Sequence, residues 1–166
     1  MNIYILRHGA AENRELGTPD AERHLTKQGK RELRAVLQQA RAAGVVPQTI
    51  LTSPLTRALE TARIAAEELN SPNVVETKDL APDVAPPQLW REIRASHRVK
   101  DLMLVGHEPQ LSRVAGFLLE SPLAIDLKKG ALMKIAVADN NGPPRGVLKW
   151  LLTPKLARNA SPRPPA

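Results

Sequence analysis

The chain has no cysteine, and its aromatic complement is two tryptophans, one tyrosine and one phenylalanine. The first absence excludes disulfides, thiolate metal sites and any thiolate nucleophile. The second removes the stacking platforms on which single-stranded nucleic acid is held. No apolar run approaches the ~18 residues of a membrane span. The N-terminus lacks a basic segment followed by a long apolar one. Neither a secretory signal nor a membrane anchor is therefore expected, and a cytoplasmic location is. The formal charge of +7 invites a nucleic-acid partner, but its distribution argues otherwise. Lys155, Arg158 and Arg163 stand near the C-terminus with no acid among them, and the remainder has no dense Lys/Arg run. A modest positive field serves equally to recruit an anionic substrate.

What is present is ordinary for one globular domain: 166 residues, 42% hydrophobic and 25% charged. Residues 2–6 (NIYIL) read as a buried strand, followed by a polar loop to about residue 25. Leu33, Val36, Leu37 and Ala40 recur at helical spacing between Thr26, an N-cap, and Gly44, a stop. Residues 49–51 form a second strand. A helix follows with the stripe Leu55, Leu59, Ala62, Ala66 and Leu69. Residues 73–77 suit a strand, 80–87 a loop and 88–98 a short helix. Residues 101–105 (DLMLV) are continuously apolar, as strands covered on both faces are. Pro109 then opens a helix to about Leu119, and two strands at 131–138 and 146–152 flank a turn. The alternation predicts an α/β fold, a three-layer sandwich whose mostly parallel central sheet is flanked by helices. One domain is expected over 1–154, with a disordered, basic, Pro-rich tail over 155–166.

Open parallel sheets bind ligands beyond the carboxyl ends of their strands. The first strand delivers Arg7 and His8 there, the second Ser53 and then Arg57, and the 101–105 strand His107 at a helix start. Two histidines, two arginines and helix N-termini together suit a dianionic phosphoryl group. Gly9 is expected to let the backbone turn tightly after the strand. His8 can then attack phosphorus while Arg7 holds its oxygens.

LRHG at 6–9, TSPLTRALETA at 52–62 and VGHEPQL at 105–111 resemble, in this order and spacing, the histidine phosphatase superfamily. RHLTKQG at 23–29, the LAPD loop and LKWLLTP at 148–154 are most similar to phosphohistidine phosphatases of the SixA type. The resemblance implies that His8 becomes phosphorylated and that water then hydrolyses it. It implies that Arg7, Arg57 and His107 bind the equatorial oxygens, with no metal or other cofactor required. Arg23 matches the family's arginine before LT, an accessory binding residue, and Gly9 and Ser53 complete the binding set. Ser53 is expected to shape its turn rather than to attack.

Alkyl phosphates need a general acid, and the chain offers Glu108, after the second histidine, or Asp83, in the 80–87 loop. Phosphohistidine needs none, because imidazole, with a pKa near ~6.5, is a good leaving group. The expected substrate is thus a phosphohistidine-bearing protein, such as a histidine phosphotransfer domain, with inorganic phosphate as product. Neither nucleic acid nor membrane is an expected partner, and the chain is expected to be monomeric. A small-molecule phosphomonoesterase or mutase shares every catalytic residue, and a phospho-binding module would keep the arginines without needing His8. The chain departs from the SixA pattern at Ala10, where an acid is usual, and Glu12 is the nearest substitute. His24 is expected at the surface without a partner, and His97 at a helix end without a function.

Overall fold

The computed structural model describes residues 1–13, 19–96, 99–122, 124–138 and 142–160. His97 and part of the turn before 146 lie outside them. Six strands, β1 (Asn2–Arg7), β2 (Thr49–Thr52), β3 (Val74–Glu76), β4 (Asp101–Gly106), β5 (Leu132–Val137) and β6 (Gly146–Leu152), form one sheet in the order β3-β2-β4-β1-β5-β6. The first four are mutually parallel, and β5 and β6 add an antiparallel margin. Five helices, α1 (Lys27–Ala42), α2 (Thr56–Leu69), α3 (Pro86–Ser96), α4 (Gln110–Leu118) and α5 (Pro154–Ala160), accompany it. The expected α/β class with a mostly parallel sheet is the observed one.

Strand pleating explains why the central strands read as unbroken apolar runs. Successive side chains point to opposite faces, and here both faces are covered. Ile3, Ile5, Leu102 and Leu104 pack with Leu89, Ile93, Leu111 and Val114 of α3 and α4. Tyr4, Leu6, Met103 and Val105 pack with residues of α1 and α2 on the other side. Parallel strands β1, β2 and β4 therefore end at one edge, and their C-terminal loops meet there.

Thr26 caps α1 as expected, its Oγ1 accepting from the Gly29 N–H at 2.9 Å. The α2 stripe is rotated from the expected one. Leu59 and Ala66 are only half-buried, and the inner face is Arg57, Ala58, Thr61, Ala62, Ile64, Ala65 and Leu69. Apolar periodicity could not find that face because Arg57 and Thr61 turn inward toward the sheet edge.

The expected disordered tail is also corrected. Residues 154–160 are α5, opened by Pro154. Ala157 is fully buried against the α1 side of the core, and Arg158 pairs with Glu32. A helix seven residues long with one buried alanine leaves almost no compositional signal beside the prolines that follow. Residues 161–166 lie outside the described residues.

Candidate active site

β1 carries Arg7 as its last residue and His8 immediately after it, and the His8 N–H donates to the Gly106 carbonyl at the end of β4 at 3.1 Å. The Ser53 N–H donates likewise to Val105 at 3.0 Å. These two bonds tie the three strand ends together. On the far side, the Gly130 N–H is shared by the carbonyls of Arg7 and His8, at 3.1 and 3.0 Å. Gly130 has φ +74°, a conformation that favours glycine.

The tautomer of His8 follows from its partner. Nδ1 lies 2.8 Å from the Gly9 carbonyl, which only accepts, so Nδ1 carries the hydrogen and Nε2 the lone pair. Arg57 Nε faces that lone pair at 3.4 Å. Gly9 is itself fixed, its N–H donating to Thr61 Oγ1 at 3.1 Å while Thr61 donates to the Arg57 carbonyl at 2.7 Å. Among the described residues the glycines with positive φ are Gly44 and Gly130, so the expected tight turn is not what selects glycine at position 9. A Cβ there would lie 3.3 Å from Leu25 Cδ2, a tight contact with a movable side chain, and in ordinary contact with the Gly29 carbonyl at 3.4 Å.

The His107 ring lies 5.0 Å from that of His8, tilted by 51°. Its Nε2 shares a 2.8 Å hydrogen bond with Ser53 Oγ, and Ser53 is fully buried. Ser53 thus orients His107, a role beyond shaping its turn. His107 Nδ1 and Arg7 Nε are buried with no partner among the described residues, while Arg7 Nη1 donates to the Leu127 carbonyl at 2.6 Å.

Burial pushes the His8 pKa down to about 4, with the charges of Arg57, Arg7 and Lys129 adding to the effect and the Gly9 hydrogen bond opposing it. Burial and the neighbouring His8, Arg57 and Arg7 hold His107 at about 3. Both rings are neutral at physiological pH, and His8 presents a lone pair rather than a proton.

The remaining expected residues divide. Arg23 does reach the site: it donates to Asp20 Oδ1 from Nε at 3.0 Å and Nη2 at 2.7 Å, and to the Glu12 carbonyl at 2.8 Å. Glu12 is itself exposed. Glu108 follows His107 and has its Oε1 buried without a partner among the described residues. Asp83 is exposed in the loop before α3. His24 is exposed as expected but does have a partner, Glu60 Oε1 at 3.2 Å. Glu60 also accepts from the Leu25 N–H at 2.6 Å, which pins the segment before α1 to α2. Asp20 and Thr61 went unremarked as site residues in the sequence. The aspartate lies in a short 3-10 turn beside Arg23, and no spacing rule links it to Arg57. Among the described residues no group of three or more His, Asp or Glu side chains is placed to hold a metal ion.

A strand-end site in an α/β fold with two neutral histidines and three arginines suits the binding of a phosphoryl group. The family model of the histidine phosphatase superfamily (branch 1) matches residues 3–81. An uncharacterized protein of Picosynechococcus sp. PCC 7002 is 32% identical over 164 residues, spanning 92% of this chain and 99% of that one. The fold superposes on the protein histidine phosphatase SixA complexed with tungstate with a TM-score of 0.81 at 23% identity, covering 93% of this chain and 98% of that one. It also resembles a putative α-ribazole-5′-phosphate phosphatase of Escherichia coli K-12, with a TM-score of 0.73 at 17% identity over 93% and 98% of the two chains. The chain belongs to the histidine phosphatase superfamily, with a fold of the SixA type.

Proposed function

We propose that the protein is a phosphohistidine phosphatase acting in the cytoplasm on a phosphorylated protein, such as a histidine phosphotransfer domain. The observation that carries this reading is the engagement of His8 Nδ1 by the Gly9 carbonyl, which leaves the Nε2 lone pair among cations. In the first step that lone pair attacks phosphorus in line, and the bond from phosphorus to the substrate imidazole breaks. The departing imidazole keeps the electron pair and takes a proton from solvent. In the second step water attacks the phosphorylated His8, the P–Nε2 bond breaks, and inorganic phosphate leaves with His8 neutral again. Arg7, Arg57 and His107 offset the charge spread over the equatorial oxygens. With Ser53 donating to Nε2 of His107, its Nδ1 carries the hydrogen that such an oxygen would accept.

Two things support a protein-borne P–N substrate. Imidazole departs without strong acid assistance, and β2 joins α2, and β4 joins α4, through three residues each, with no long insertion there to enclose a small substrate. The likeness to SixA, solved with an oxyanion, agrees with this. One observation favours a second reading, a small-molecule phosphomonoesterase: the unpartnered, buried Oε1 of Glu108 is a suitable general acid. The likeness to the E. coli α-ribazole-5′-phosphate phosphatase fits that alternative. A pure phospho-binding module would have no use for a free His8 Nε2.

The test compares kcat/KM on a phosphohistidine protein with that on an alkyl phosphate, in wild type, Glu108→Gln and His8→Ala. The proposal predicts a strong preference for phosphohistidine, indifference to Glu108→Gln and an inactive His8→Ala. Efficient ester turnover that collapses in Glu108→Gln would establish the second reading instead.

A further inference from the structure

Arg57 is 5% exposed, and its guanidinium is already engaged. Nε points at His8 Nε2, Nη1 donates to the Asp20 carbonyl at 2.7 Å, and Nη2 donates to Asp20 Oδ2 at 3.0 Å. Of the five N–H groups a guanidinium offers, two therefore face one residue of the same chain. The other carboxylate oxygen of Asp20 takes both inward nitrogens of Arg23. Asp20 is the only carboxylate paired with a site arginine among the described residues. A carboxylate held by two arginines beside a nucleophile is what a bound phosphoryl group would look like to those arginines, with one negative charge in place of two.

We propose that Asp20 is an internal counter-anion of the phosphoryl site, competing with phosphate and phosphoryl substrates for Arg57 and Arg23 and so weakening their ground-state binding. The inference rests on the phosphoryl site described above and adds a residue that sets its specificity. A phosphoryl dianion next to His8 Nε2 must share Arg57 with a carboxylate it repels. Free phosphate, having no contacts beyond the site, bears the whole of that penalty. A phosphoryl group presented on a protein offsets it with contacts around the mouth of the site. Asp20 thus favours release of the product and disfavours small phosphates as occupants. Burial pushes its carboxyl pKa up, but the hydrogen bonds and charges of Arg23 and Arg57 outweigh this and hold it below the usual carboxylate range, so the counter-charge is present throughout the neutral region.

The opposite role is equally definite: Asp20 could serve to position Arg57 and Arg23 for the ligand, and the two roles move phosphate affinity in opposite directions. Inorganic phosphate binding is measured by calorimetry, without substrate, on wild type, Asp20→Asn and Asp20→Ala. Asp20 is half-exposed, and Asn keeps its size and an acceptor oxygen, so the fold is retained. Competition predicts affinity about tenfold tighter in both variants, as expected for removing one charge close to a bound anion. Unchanged affinity, or affinity that weakens in Asn and further in Ala, overturns the proposal and makes Asp20 a positioning residue. Binding by none of the three proteins would overturn the phosphoryl site along with it. Because no substrate is used, the outcome is independent of whether phosphohistidine or an ester is turned over, which the kcat/KM comparison decides separately.

Discussion

The chemistry depends on where one hydrogen sits on His8. A histidine with a pKa of about 4 and its Nδ1–H spent on a carbonyl is a nucleophile over the whole physiological range. NMR titration of the imidazoles should show His8 and His107 staying neutral from pH 8 down to about 5, with no inflection near 6.5. An inflection near 6.5 in either ring would show that burial does not hold it neutral. Ser53→Ala tests the support of the second histidine. It strands a buried Nε2, so a stability loss of roughly 1–3 kcal/mol in urea denaturation is expected. Turnover should fall with it, since the His107 ring loses its only hydrogen-bond partner among the described residues. Full activity in a stable Ser53→Ala protein would remove Ser53 from the account. At this scale Arg7, His8, Arg57 and His107 were legible because each lies at a strand end or within a few residues after one. Asp20, Thr61 and the Leu127 carbonyl were not, because only folding brings them to the arginines and to Gly9.

Between elements, the N-terminus of α1 is what holds the loop after β1. The Ala10 carbonyl accepts the Thr26 N–H at 2.9 Å, and a Cβ on Gly29 would lie 2.2 Å from that carbonyl oxygen. The glycine of RHLTKQG is thus required by the close approach of a backbone carrying the His8 segment. Gly29→Ala should cost about 1–3 kcal/mol through overpacking, read from the urea midpoint. It should also lower kcat by displacing the loop. A variant as stable and active as wild type would contradict the packing described. Strand and helix order was readable from period and punctuation, because the central strands are buried on both faces, Thr26 caps α1 and prolines punctuate the other helix starts. The orientation of α2 and the existence of α5 were not. The first buries Arg57 and Thr61 toward the sheet edge, and the second buries only Pro154 and Ala157.

For the whole molecule, two neutral buried histidines make stability depend on acidity in a defined direction. Both have folded pKa values below the ordinary 6.5, so the unfolded chain binds more protons as pH drops. Their contribution is fully present above pH 6.5 and is lost progressively toward pH 4 for His8 and pH 3 for His107. Asp20 and Glu60, whose pKa values are lowered, lose their contribution only as pH falls through the usual carboxylate values and below, which leaves the range from 7.5 to 5 to the histidines. The urea midpoint should fall between pH 7.5 and 5, and fall less in His8→Asn. A midpoint that rises on acidification would contradict the placement of both rings. The fold class was visible in the sequence because one sheet organises the entire chain. The substrate was not, since it depends on which leaving group meets the same four side chains.

The most direct test of the central claim is to quench the enzyme during turnover and map the phosphoryl group by mass spectrometry under alkaline conditions, which preserve a phosphoramidate. The account predicts an acid-labile phosphate on His8, formed fast enough to be an intermediate and absent from His8→Ala. Turnover with no phosphorylated His8 at any time, or turnover that persists in His8→Ala, would contradict it.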